Sequence, residues 1–201
     1  MKFDVVYEKG DGNDKKITYG ILQGDNKVVF IKAGAGGSHT GYENKYLKIA
    51  HWLHNTLGCT VICSSYPDDK LSQEDDESFI MSYVAKHNIG EPSYYFIGVS
   101  RGAYYGLTFL RRRFDFKRML LINMPLMLNY HKIKAALKST GDTEVIFVYG
   151  DKDPSYSYLP FLSSSKELSI QIKTAEGADH NFKGMLSEFI ELAKLIFGEE
   201  I

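Results

Sequence analysis

Apolar positions along the chain fall into two rhythms that alternate. Residues 2–8 and 16–22 read as strands, and the loop between them, Lys9-Gly10-Asp11-Gly12-Asn13-Asp14, is made of turn residues. An antiparallel hairpin at a sheet edge follows. Residues 27–32, 60–63, 94–97, 118–123, 144–149 and 169–173 are short, largely apolar runs. Runs of this kind suit strands buried on both faces of a parallel sheet. Between them the spacing changes. Tyr46, Leu47, Ile49, Ala50, Leu53 and Leu57 share one helical face, and Gly58 is placed to end that helix. Ser72 with Asp75 forms a capping box for a helix reaching about Lys86. Further helices are predicted after Ser100, over 130–138 and over 181–197. The alternation predicts one α/β domain over residues 1–201: a mostly parallel twisted sheet of about eight strands, helices on both faces, and the N-terminal hairpin at one edge.

One junction between the two rhythms carries chemistry. Tyr94-Tyr95-Phe96-Ile97 leads into Gly98-Val99-Ser100-Arg101-Gly102, and a helical stretch starts at once. A strand that turns sharply into a helix strains the residue at its apex and leaves no room for side chains two positions either side. Glycines 98 and 102 meet that need. Ser100 then stands clear of the sheet, and the Arg101 N–H faces any negative charge that develops beside it.

Ligands gather beyond the carboxyl ends of strands in such sheets. Two other strand ends carry reactive side chains: Asp151 and Asp153 after Phe147-Val148-Tyr149-Gly150, and His180 after the last strand. A glycine-rich loop, Ala33-Gly34-Ala35-Gly36-Gly37-Ser38-His39, follows the third strand. It lacks a G-K-[ST] ending, and Gly34-Ala35-Gly36 lacks the third glycine of a dinucleotide fingerprint, so a nucleotide cradle is disfavoured. Its backbone N–H groups are nevertheless open, as an oxyanion hole requires.

These segments together resemble the α/β-hydrolases. The resemblance rests on the elbow 98–102, the acid segment Tyr149-Gly150-Asp151-Lys152-Asp153-Pro154, the histidine segment Gly177-Ala178-Asp179-His180-Asn181-Phe182, and the order Ser…Asp…His. It extends over essentially the whole chain. It implies Ser100 as nucleophile, His180 as base and Asp153, in preference to Asp151, as the acid. It also implies one oxyanion donor in the loop after the third strand, at the Ala35 N–H with Gly34 and Gly36 as neighbours, and a second at the Arg101 N–H. Two departures stand out: Ala33-Gly34 replaces the His-Gly found in many members, and the stretch between the sixth and seventh strands leaves space for a minimal lid or none.

Composition narrows the field without adding a site. With 24 Lys+Arg against 25 Asp+Glu the net charge is −1, which gives no electrostatic case for a nucleic-acid partner. Arg111-Arg112-Arg113 reads as the basic end of a helix, and Glu74-Asp75-Asp76-Glu77 as a solvated acidic first turn. Cys59 and Cys63, four apart in a strand, would hold their Cα atoms roughly 13 Å apart, too far for a disulfide. No metal-ligand spacing appears, so neither metal nor cofactor is implied. The basic start and apolar stretch of a secretory signal are missing, as is any run long enough to span a bilayer. A soluble, cytoplasmic protein without membrane insertion is the expectation, its partner a small acyl substrate. His39 and Tyr66 are candidates for contact with that substrate; Gly34 and Gly36 border it; Tyr42 and Tyr104 are further rim positions. The Arg101 side chain reads as an ion-pair partner or as a group for a substrate carboxylate. His51, His54, His87 and His131 read as structural or surface residues, and Asp151 and Asp179 as loop residues. The expected activity is hydrolysis of small acyl esters, with acyl thioesters or small peptides as the alternative. A hydrolase scaffold that binds without catalysing is the alternative of another class.

Overall fold

The computed structural model describes residues 1–10, 16–67, 74–163 and 170–198. Eight strands form one sheet: β1 (Val5–Gly10), β2 (Lys16–Leu22), β3 (Lys27–Lys32), β4 (Thr60–Ser64), β5 (Ser93–Val99), β6 (Phe116–Ile122), β7 (Glu144–Gly150) and β8 (Ile170–Ala175). Their spatial order is β1-β2-β4-β3-β5-β6-β7-β8. The β1/β2 and β2/β4 pairs are antiparallel, and every other pair is parallel. The predicted hairpin therefore lies at one edge, while its loop residues 11–14 lie outside the described residues.

Alternation along the central strands sorts side chains to two cores. Val28 and Phe30 of β3 join one apolar cluster, Val29 and Ile31 the other. The first cluster is covered by α2 (Glu74–Lys86), α3 (Arg101–Thr108) and α4 (Tyr130–Lys138). The second is covered by α1 (Lys45–Leu57) and by the C-terminal pair α5 (Leu186–Glu191) and the 3-10 turns of Leu192–Phe197. Gly58 takes φ 71° at the C-terminus of α1, where a left-handed residue ends a helix at least cost. A further short helical turn, Leu159–Ser163, follows the acid segment. Cys59 and Cys63 are both free and buried, and burial pushes the Cys59 thiol up to about 11.

Three sequence expectations shift. The first strand begins at Val5 instead of Lys2. The closing helix begins at Leu186 instead of Asn181, because Phe182 (φ 55°) and Gly184 (φ 75°) hold residues 181–185 in turns. The acidic run is not uniformly solvated: Asp76 is buried, with its carboxylate 2.7 Å from the Lys32 ammonium. The helical period explains this, since Asp76 shares a face with buried Ile80, Tyr83 and Val84. Ser72, the proposed cap of that helix, lies outside the described residues.

Candidate active site

Ser100 sits where β5 becomes α3, with φ 52° and ψ −125°. This backbone region is sparsely populated for any residue with a side chain, and it persists only where the surroundings enforce it. The chain on either side is packed too closely for side chains. A Cβ at Gly98 would come within 2.5 Å of Ala103 Cα, and one at Gly102 within 2.3 Å of the Ala33 carbonyl oxygen. The Ser100 N–H donates to Ile122 O on β6 (2.8 Å), while its carbonyl accepts from Ala103 and Tyr104 to start the helix.

The other two strand ends converge on the same point. His180 Nε2 lies 3.0 Å from Ser100 Oγ, and its Nδ1 lies 2.5 Å from Asp153 Oδ2. A carboxylate only accepts, so Nδ1 donates and Nε2 is left to accept from the serine hydroxyl. The Asp153 side chain is wholly buried, and the Ser155 N–H occupies its other oxygen (2.6 Å). The His180 side chain, by contrast, is 41% exposed. The chain of hydrogen bonds thus runs from a closed end at the carboxylate to an open end at the serine.

The loop after β3 packs directly on the serine. A Cβ at Gly34 would be 3.1 Å from Ser100 Cβ, closer than ordinary contact allows, so the absence of a side chain lets the loop approach. The N–H groups of this loop can be sorted. Gly34 N–H faces the Tyr46 hydroxyl, Gly36 N–H donates to Tyr66 O (2.8 Å) and Gly37 N–H to Gly34 O (2.9 Å). Among the described residues no hydrogen bond draws on the Ala35 N–H, and the Arg101 N–H belongs to the unpaired first turn of α3. His39 rests against the Phe3 ring at 5.5 Å, and burial lowers its imidazole below the usual range. The Tyr66 ring faces Lys32 and Tyr105.

Asp151 and Asp179 shape the backbone around the site. Asp151 Oδ1 accepts from Gly177 N–H (2.8 Å), and Asp179 Oδ1 accepts from Asn181 and Lys183 N–H (2.9 Å each). These last bonds hold the Asp179 carboxyl below its ordinary range. Asn123 was overlooked by the sequence reading. It is fully buried just past β6, at φ 47°, and bonds the acid and histidine segments at once. Asn and Gly tolerate such a φ, so a lone Asn at the end of an apolar strand is the sequence signal that was available.

Beyond the ends of β6 and β7, Leu126, Met127, Tyr130, Tyr158 and Phe161 line a cavity of about 160 Å³. The Tyr130 hydroxyl is spent on Phe161 O (2.7 Å), which leaves carbon facing inward. The α4 side of this region is tied to the elbow helix, since the Lys132 ammonium lies 5.8 Å from the centre of the Tyr104 ring.

Strand order, the strained serine turn and the hairpin at the edge define the α/β-hydrolase fold, and the chain has that fold. Solved structures agree. An Anabaena variabilis dienelactone hydrolase superposes with TM-score 0.69 at 16% identity, covering 96% of this chain and 95% of that one. Est1E from Butyrivibrio proteoclasticus matches at 0.68 and 15%, covering 96% and 97%. A Xanthomonas campestris serine hydrolase described as lacking a lid matches at 0.66 and 14%, covering 95% and 92%. No family model and no curated protein matches the sequence. Among the described residues no helix is long and apolar enough to cross a membrane.

Proposed function

We propose that the chain is a serine hydrolase that cleaves small carboxylic esters through an acyl-enzyme intermediate. The observation that carries the reading is the unbroken chain of hydrogen bonds Ser100–His180–Asp153, at 3.0 and 2.5 Å, ending on a strained and accessible serine. A serine hydroxyl is a weak nucleophile until a base takes its proton. In this reading His180 Nε2 takes that proton as Oγ attacks the acyl carbon, and later returns it to the departing alcohol. Asp153 fixes the tautomer and balances the imidazolium. The Ala35 and Arg101 N–H groups receive the oxyanion, a contribution worth about a hundredfold or more in rate per donor. Water, activated by the same histidine, releases the acid.

The apolar cavity supports an uncharged organic group on the substrate. A short alkyl or arylacetyl group suits its wholly apolar lining of Leu126, Met127, Tyr130, Tyr158 and Phe161.

A panel of p-nitrophenyl esters of rising chain length, acyl-CoA thioesters and aminoacyl amides tests the reading. Turnover of short or arylacetyl esters that disappears in Ser100→Ala is the expected result. Preference for thioesters or for amides would replace the ester by that substrate class. No turnover of any of them by folded protein would favour a scaffold that binds without catalysing.

A further inference from the structure

We propose that Asn123 is a positioning residue that sets the register between Asp153 and His180. The proposal rests on the hydrolase reading for its kinetic consequence and on geometry for its substance. Both ends of the Asn123 carboxamide are used. Oδ1 accepts from the Gly150 N–H (2.9 Å), three residues before the acid. Nδ2 donates to Asp179 O (3.2 Å) and to His180 O (3.0 Å), the carbonyl of the histidine itself. The Asn123 N–H donates to Val148 O (2.9 Å), so its own backbone is held to β7. One buried side chain therefore joins the ends of β6 and β7 to the histidine loop, whose members are 27 and 57 residues away along the chain.

The chemistry of this junction admits few substitutes. One acceptor and two donors are required, which matches a carboxamide and excludes a carboxylate, an alcohol or an alkyl group. The space leaves no slack either. A Cβ at Gly150 would sit 2.2 Å from Ala178 O, so the acid strand and the histidine loop touch backbone to backbone at the point that Asn123 bonds. Lys152 N–H to Ala178 O (3.0 Å) and Asp151 N–H to Ala175 O (3.2 Å) continue the seam toward the acid but do not reach residue 180. Only Asn123 among the described residues grips the backbone of His180 and that of the acid strand together.

Asn123→Gly tests the claim while keeping a residue that tolerates positive φ. Asn123→Asp is the second variant: it keeps the acceptor and removes the donors. Displacing an outer partner of a reacting pair costs about ten- to a hundredfold. A fall in kcat of that size, with KM within about twofold, is expected for both variants on a short ester. The same substitution in a His180→Ala background should have no further effect, because its influence passes through that imidazole. Equal losses in both backgrounds, or none in either, would overturn the proposal.

A second readout does not need turnover. The proton between His180 Nδ1 and Asp153 should give a far-downfield NMR signal in the wild type, and that signal should shift or broaden away in folded Asn123→Gly. An unchanged signal contradicts the proposal. If wild type neither turns over esters nor reacts with serine-directed probes, the hydrolase reading falls and this signal alone decides. Failure of both variants to fold would also overturn it, since Asn123 would then be a residue of the fold and not of the pair.

Discussion

Two polar clusters lie at the carboxyl end of this sheet, and each is built on a buried aspartate. Asp153 is bonded by His180, and Asp76 is bonded by Lys32. The difference is what surrounds the partner. Lys32 and Asp76 are each only 4% exposed, and the ammonium also donates to Ser64 Oγ (2.9 Å) and Ser65 O (2.8 Å). Ser64 and Tyr105 hydroxyls bond the carboxylate as well, and burial first, then the Asp76 charge, holds the Tyr19 and Tyr105 hydroxyls far above their ordinary range. The ammonium and the carboxylate are bonded to each other and to buried protein groups, so this pair is closed off from solvent. Its bonds to Ser64 and Ser65 instead brace the strand end on which the loop of Ala35 is hung, through Ala33 N–H to Ser64 O (3.1 Å) and Gly36 N–H to Tyr66 O. The His180 side chain is part exposed and keeps one nitrogen on the Ser100 hydroxyl. A buried carboxylate marks neither structure nor chemistry by itself; the open end of its chain does.

Substitutions should separate the two clusters cleanly. The largest effect is expected at the open one: Ser100→Ala or His180→Ala should lower kcat by roughly a millionfold and Asp153→Asn by about ten thousandfold, with little change in melting temperature. In the closed cluster the loss falls on stability. Lys32→Met strands a buried charge and should cost about 3–5 kcal/mol in urea unfolding, while Lys32→Met/Asp76→Leu recovers most of it. Recovery would assign the pair to stability; continued loss of kcat in the folded double variant would show that it also shapes the Ala35 loop.

Smaller effects sharpen the edges of the site. Phe161→Ala should reduce the preference for phenylacetyl over acetyl esters by about tenfold, read as a ratio of kcat/KM. Unchanged selectivity would remove the cavity from the substrate path. Lys45, buried on α1 against Phe189 (4.3 Å) and 3.4 Å from Asn181 O, is pushed down to about 8 by desolvation from an ordinary 10.5. Between those two pH values the unfolded chain holds a proton that the folded chain has released, so stability should rise with pH across the interval. Lys45→Met should flatten that slope and raise stability at pH 7. A slope that persists in the variant would place its origin elsewhere.

The legibility of these features follows their range along the chain. The elbow was readable because its motif is contiguous: the clash that excludes a side chain at 98 arises within the strand-turn-helix itself, against Ala103, although the one at 102 comes from the end of β3 at Ala33. The sheet was readable because double-sided burial leaves continuous apolar runs. Asn123 was not, since its meaning lies wholly in contacts with residues 150, 179 and 180. Asp76 was half readable. Its run of four acids looked like a solvated first turn, and only the spacing to Ile80, Tyr83 and Val84 distinguished it from its neighbours. The start of the closing helix was misjudged because left-handed Phe182 has no sequence signature, whereas Gly184 two residues later has one.

Activation of Ser100 as a nucleophile is read out by reaction with a fluorophosphonate followed by intact mass. One adduct per chain at Ser100, absent in Ser100→Ala and formed far more slowly in His180→Ala, is the predicted result. Folded wild-type protein that takes up no adduct, or takes it up equally in Ser100→Ala, would contradict it.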